Sequence, residues 1–151
     1  MTRSAVPGLW VYYCCAQSSL VPNRFFAMES ARNRIMGVLM YLYGIKGFLH
    51  WGYNFYNSKF SLHPVDPYRV THADYAFPSG DPFLVYPGPD ALLDLRALQL
   101  LEQLAGRAFV EELIYADAEM RPMTFRDYPR GAGYLLALRE RVAAEIESRL
   151  A

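Results

Sequence analysis

The stretch "SARNRIMGVLMYLYGIKGFLHW", residues 30–51, decides the fold because two different periods meet inside it. Ile35, Val38, Leu39 and Leu42 fall at i, i+3, i+4 and i+7, which sets one apolar helical stripe against a core. Ser30 is placed to cap the start of that helix, and Gly44 to end it in the left-handed turn that glycine tolerates best. Residues 47–51 then read as a short strand. Upstream, "LWVYYCC", residues 9–15, favours β structure and is dense enough in apolar side chains to suit a strand covered on both faces. Strand, helix, strand with short connections is the pattern of a right-handed parallel crossover.

Downstream the chain changes character twice. From about residue 58 to 90, Pro64, Pro67, Pro78, Pro82, Pro87 and Pro89 exclude long regular elements, although "DPFLVYPG" is compatible with a short edge strand. A loop of this length in a compact domain usually packs over a site. Asp90 then suits the cap of a helix over 91–105 that Gly106 closes, and a further helix is expected over 108–115 with Phe109, Val110, Leu113 and Ile114 inward. After "YPRGAGY" a last helix is expected over 134–150, with Leu135, Leu138, Val142 and Ile146 on one face and a Glu145–Arg149 pair at i,i+4. The organisation is therefore 1–90, strands and long loop, followed by 91–151, helical. Two parallel strands alone leave two open edges, which invite association.

The totals bound the function. The 151 residues are 53% apolar and 20% charged, a globular composition large enough for one ordinary domain. Fifteen basic and fifteen acidic residues cancel, and no basic stripe appears, so a nucleic-acid partner has no electrostatic footing. Cys14 and Cys15 are adjacent with no third cysteine, a poor geometry for a bridge, and read as buried thiols. The opening "MTRSAVPGLW" lacks the apolar centre of a signal peptide, and "IMGVLMYLYG" is too short to cross a bilayer. No membrane association is expected; the compartment stays open, cytoplasmic by default.

Most catalytic chemistry is poorly represented. His50, His63 and His72 are 13 and 9 residues apart without cysteine or clustered carboxylates, which is not metal-ligand spacing. His50 reads as a satisfied buried side chain. No Gly-rich phosphate loop, GxSxG or HExxH is present, so no cofactor or metal is expected. "SGDP", residues 79–82, reads as a turn. Glycoside hydrolysis commonly needs two carboxyl groups flanking the scissile bond. Here Glu111 and Glu112 fall on the polar side of a helix, and Asp66, Asp74 and Asp81 are scattered in the Pro-rich segment.

What survives is "GFLHWGYNFYNS", residues 47–58, where Trp51, Tyr53, Asn54, Phe55, Tyr56 and Asn57 gather at a strand end. A packed corner would use the rings, with the amides holding loop backbone. A sugar site would use both, because rings stack on pyranose faces while amides and phenols bond hydroxyls.

The segments "WVYYCC", "PNRFF", "RNRIMGVLMYLYGIKGFLHWGYNFYNS" and "PSGDPFLVYPG" resemble the catalytic domain of glycoside hydrolase family 123, also known as domain of unknown function 4091. The tail from "RALQLLEQLAGRAFVEELI" through "MTFRDYPRGAGYLLALRERVAAEIESRL" is similar to the C-terminal part of bacterial members. The resemblance implies a (β/α)8 barrel acting on β-linked N-acetylgalactosamine, in which the sugar's own acetamido oxygen attacks the anomeric carbon and an adjacent Asp-Glu pair assists. Residues 9–15 and 47–51 then correspond to the seventh and eighth strands. Trp51, Tyr53 and Asn54 fall on the rim facing the sugar, with Tyr12 or Tyr13 contributing from the neighbouring strand.

Two departures shape the expectation. No Asp-Glu dipeptide occurs in the chain, the family's pair belonging to an earlier strand. After "VYPG" the sequence runs directly through "PDALLDL", which implies that about four turns of the final barrel helix are absent. The fold expected is α/β, an incomplete TIM-barrel-like fragment holding the last two strands, followed by a C-terminal helical segment. Its expected function is to supply part of an amino-sugar site without hydrolysing alone. The alternatives are a non-catalytic carbohydrate-binding or scaffold module, or the remnant of a truncated gene. The expected partners are a carbohydrate ligand, a second copy or the missing N-terminal barrel portion.

Overall fold

The computed structural model describes residues 6–13, 19–23, 28–50 and 87–151. Within them the order is β1 (Trp10–Tyr13), α1 (Ser30–Arg34), α2 (Met36–Tyr43), β2 (Gly47–His50), α3 (Pro87–Ala105), α4 (Arg107–Tyr115) and α5 (Ala132–Leu150). The chain is thus mixed α/β. The strands pair in parallel, with Trp10 opposite Gly47, Val11 opposite Phe48, Tyr12 opposite Leu49 and Tyr13 opposite His50. Cys14, Cys15, His63, His72, Asp66, Asp74, Asp81 and most of the Pro-rich segment lie outside the described residues, as does the side chain of His50.

The helix read from residues 30–44 is built in two pieces joined at Ile35, which keeps right-handed helical angles. Its apolar stripe is as expected: Ile35, Val38, Leu39 and Leu42 are all buried. The expectation of a single stripe is nonetheless too narrow. Met36, Gly37, Met40 and Tyr41 are buried as well, so most of α2 is enclosed and it runs through the middle of the core. Its sequence "MGVLMYLY" carries no charge, which is what a helix hydrophobic all round requires.

The ends of the helix follow local rules, with one shift. Glu29, not Ser30, occupies the position before α1, and no side chain caps it. At the other end Gly44 is left-handed (φ 65°, ψ 28°). The Gly44 N–H donates to the Tyr41 carbonyl at 3.1 Å and the Ile45 N–H to the Met40 carbonyl at 2.9 Å. This paired closure, with Ile45 and Met40 both buried beside it, is the Schellman arrangement. Arg107 adds a side-chain donor at the same end: its Nη2 donates to Leu42 O at 2.9 Å and, more weakly, to Tyr41 O at 3.4 Å. Glu111 holds that guanidinium at 2.7 Å, and the Tyr41 ring lies beneath it.

The later helices extend or match the reading. α3 starts at Pro87, so Asp90 sits within its first turn instead of capping it, where a carboxylate still complements the helix dipole. Gly106 does separate α3 from α4, at a φ of 82° that disfavours any side chain. Val110 and Ile114 are fully buried, while Phe109 and Leu113 are half-buried against the core. On α5, Leu135, Leu138 and Val142 are buried, Ile146 is partly so, and the Glu145–Arg149 pair forms.

Helices from both sides of residue 90 share one core, running from Ile35 to Ile45 and from Leu95 to Val142. α3 passes so close to α2 that a Cβ built on Gly37 would lie 2.1 Å from the Ala91 carbonyl oxygen. Polar ties fix the same arrangement. Arg34 grips Asp94 through two bonds of 2.6 and 2.9 Å, with both side chains nearly buried. Arg32 donates to the Tyr128 hydroxyl at 3.0 Å and to the carbonyls of Ser19 and Val21, tying the C-terminal loop to the N-terminal one.

The Gly37 contact generates a direct test. Gly37→Ala forces a methyl group into a backbone oxygen that cannot swing aside, so a loss of about 2–3 kcal/mol is expected. Gly131→Ala, at the N-cap of α5 with nothing near its Cβ, is the control: it makes no collision and is expected to cost no more than about 1 kcal/mol. Urea denaturation of the two variants measures the difference.

Candidate functional site

Parallel strands are normally covered on both faces, and the sequence "LWVYYCC" suggests the same for β1. The structure corrects this. Side chains alternate along each strand, and the register places Val11, Tyr13 and Phe48 on one face and Trp10, Tyr12, Gly47 and Leu49 on the other. The first face meets the helices. The second is bare among the described residues: Trp10 is 64% exposed, Tyr12 52% and Leu49 55%.

On the bare face Gly47 has a specific use. A Cβ there would come within 2.2 Å of the Trp10 ring, so the indole lies against the β2 backbone where only glycine leaves room. The result is a shelf made of an indole, a phenol and a leucine. Rings in that setting can stack on apolar C–H faces of a ligand, and the Tyr12 hydroxyl can donate to or accept from a ligand hydroxyl. Neither strand contains a carboxylate, so the shelf itself can position a ligand but cannot exchange a proton with it as a pair of carboxyl groups would.

The covered face is aromatic too. Tyr13 is 5% exposed, and its ring packs edge-on to Phe48 at 5.4 Å and near Phe125 at 6.5 Å. Phe125 continues to Tyr43 at 5.2 Å, and the Tyr43 hydroxyl donates to Met123 O at 3.1 Å. The Tyr13 hydroxyl is buried without a hydrogen-bond partner among the described residues. Burial pushes its ionisation well above the ordinary phenol range, and the neighbouring Tyr128 adds to the effect. Burial does the same to Tyr134, whose hydroxyl donates to Ile114 O at 2.8 Å.

Of the residues singled out from sequence, Trp51, Tyr53 and Asn54 lie outside the described residues. Tyr12 and Tyr13 are adjacent in sequence yet stand on opposite faces, the first open to solvent and the second enclosed. Sequence reasoning misses Trp10. The signal that identifies it is Gly47, a residue with no side chain directly across a strand pair from a tryptophan. Among the described residues no group of histidine, cysteine and carboxylate side chains could hold a metal ion. No helix among them is long and apolar enough to cross a membrane.

A comparison with protein families adds to this geometry. The family model described as "Glycoside hydrolase 123, catalytic domain" matches residues 2–113, a span that contains both strands and α1 to α3. No curated protein matches the chain.

The buried phenols set a pH dependence. Their folded-state ionisation lies above the unfolded value of roughly 10, so the stabilisation is fully present below that pH and is lost as pH rises toward the folded-state values. Tyr13→Phe removes a hydroxyl that has no partner among the described residues, and stability at neutral pH is expected to hold or rise by about 1 kcal/mol. The alkaline loss above about pH 10 becomes shallower in the variant. Denaturant titrations at neutral and alkaline pH check both, and a marked loss at neutral pH would contradict the assignment.

Proposed function

This chain belongs to the glycoside hydrolase family 123 catalytic-domain family, and from that premise we propose that it supplies one wall of an amino-sugar site without hydrolysing glycosides by itself. The observation that carries the reading is the asymmetry of the strand pair. In a (β/α)8 barrel one face of every strand meets the outer helices and the other lines the interior. Val11, Tyr13 and Phe48 against helices, with Trp10, Tyr12 and Leu49 bare, suits two neighbouring strands of such a barrel.

Sites in these barrels gather where the strands end at their C-terminal side. That end is Tyr13 on β1 and His50 on β2, and "WGYNFYNS" follows immediately. The proposal gives Trp51, Tyr53 and Asn54 the sugar, with Tyr12 approaching from β1. Tyr13, enclosed by Phe48 and Phe125, supports the strand from behind. The ligand class is a β-linked N-acetylgalactosaminide, as the family resemblance implies. Acid–base assistance by an adjacent Asp-Glu pair has no matching dipeptide in the 151 residues, and neither strand carries a carboxylate.

The chain contains two tryptophans, Trp10 and Trp51, so its indole fluorescence can be assigned by single substitutions. Titration with N-acetylgalactosamine is expected to give a saturable change that Trp51→Ala abolishes. Gly47→Ala, which displaces the Trp10 indole, is expected to shift the baseline emission and weaken the response by a few fold. No release of an aryl group from an aryl N-acetyl-β-galactosaminide is expected from the purified chain. Turnover that survives further purification would overturn the proposed division of labour, and a titration without saturation would overturn the site.

A further inference from the structure

The C-terminal helix α5 extends beyond the span matched by the family model, and it carries a second apolar face that the core does not use. Leu135, Leu138 and Val142 form the buried face. Leu136, Ala143 and Leu150 follow one another at intervals of seven, each step turning only about 20° around the helix. All three are exposed, Leu136 at 53% and Leu150 at 65%. Arg139 and Glu147 flank Ala143 at about 40° on either side. Both are exposed, and both line an open groove of about 270 Å³ between α3 and α5 that also includes Leu93, Ala97 and Ile146.

The face is symmetric about Ala143. Seven residues away on each side is a leucine; four residues away on one side is an arginine and on the other a glutamate. We propose that a second copy of this chain docks here, its α5 antiparallel to the first, with the two-fold axis passing at Ala143. An antiparallel pair about that axis brings each residue before 143 opposite the one equally far after it in the other copy. Leu136 of each copy then faces Leu150 of the other, Arg139 faces Glu147, and the small Ala143 side chains allow the helices to approach. Each contact occurs twice, as an isologous interface demands.

Charge decides the orientation as well as the occupant. A parallel arrangement would set Arg139 against Arg139 and Glu147 against Glu147, so like charges exclude it. Among the described residues Arg139 has only long ion-pair contacts, 3.8 Å to Asp90 and 3.7 Å to Asp94, and half its side chain stays exposed. No ion pair among the described residues engages the Glu147 carboxylate. The helix is 19 residues long, about 28 Å, and one helix pair of that length buries less than the roughly 1,200 Å² of tight complexes. A weak, reversible association, in roughly the micromolar range, is what a contact that small is expected to give. This interface is separate from the bare strand face, and the sugar site does not depend on it.

Sedimentation of the full chain across about 1–500 μM tests the proposal, that range spanning the expected micromolar affinity. The expected result is a reversible monomer–dimer equilibrium. Ala143→Glu sets two carboxylates on the axis and is expected to weaken it more than about tenfold. Glu147→Arg, a change at an exposed position, is expected to weaken it similarly, and adding Arg139→Glu to that variant is expected to restore much of the loss. Circular dichroism confirms that each variant keeps its helix content; should Ala143→Glu unfold, the Glu147→Arg pair of measurements decides alone. A chain that stays monomeric throughout, or a dimer indifferent to these substitutions, overturns the proposal.

Discussion

The rest of the structure depends on the close passage of α2 and α3 at Gly37. Removing one side chain lets the Ala91 backbone approach to a distance no other residue would permit. Once that contact is made, α2 is sealed on one side by α3 and on the other by the remaining core. A helix so enclosed must be apolar all round, and it must close its own backbone at the end. Gly44 and Arg107 do the latter together, the glycine by turning the chain and the arginine by donating to the Leu42 and Tyr41 carbonyls. Three arginines, Arg32, Arg34 and Arg107, carry most of the long-range polar connections described. Guanidinium suits this use because one planar group can serve several acceptors.

The strand pair takes its meaning from this helical support. Helices cover one face of the sheet, and the covered side is finished with interlocking rings from Tyr13, Phe48, Phe125 and Tyr43. The opposite face keeps Trp10, Tyr12 and Leu49 in the open. Among the described residues one side of the sheet is dry and the other open, which is unusual for parallel pairing. The described rings therefore part company: Tyr13, Phe48, Phe125 and Tyr43 pack together on the covered side, while Trp10 and Tyr12 are presented outward.

Much of this was legible in the sequence. The period of Ile35, Val38, Leu39 and Leu42, the terminators Gly44 and Gly106, the two strands and the inward face of α5 all follow from local spacing, because each is fixed by backbone geometry within a few residues. The family too was legible, since long ordered runs such as "RNRIMGVLMYLYGIKGFLHWGYNFYNS" specify far more than a short motif. The helix starts were less so. Ser30 and Asp90 are good capping residues, yet α1 begins after Glu29 and α3 begins at Pro87, where the fixed backbone angle of proline suits the first helical position.

The list of elements, the parallel order of the strands and the lack of an Asp-Glu dipeptide follow from the residues alone. Which side of each element is wet is settled by packing. Composition makes "LWVYYCC" look buried on both faces, and the spacing of Ile35, Val38, Leu39 and Leu42 points to one stripe of the helix where most of "MGVLMYLY" is enclosed. Solvent exposure depends on what arrives from elsewhere in the chain: α3 reaches α2 because of Gly37, while no described segment covers Trp10. Local spacing sets where a side chain points along its own element, but burial is a property of the neighbours, and those are chosen by packing at long sequence separation.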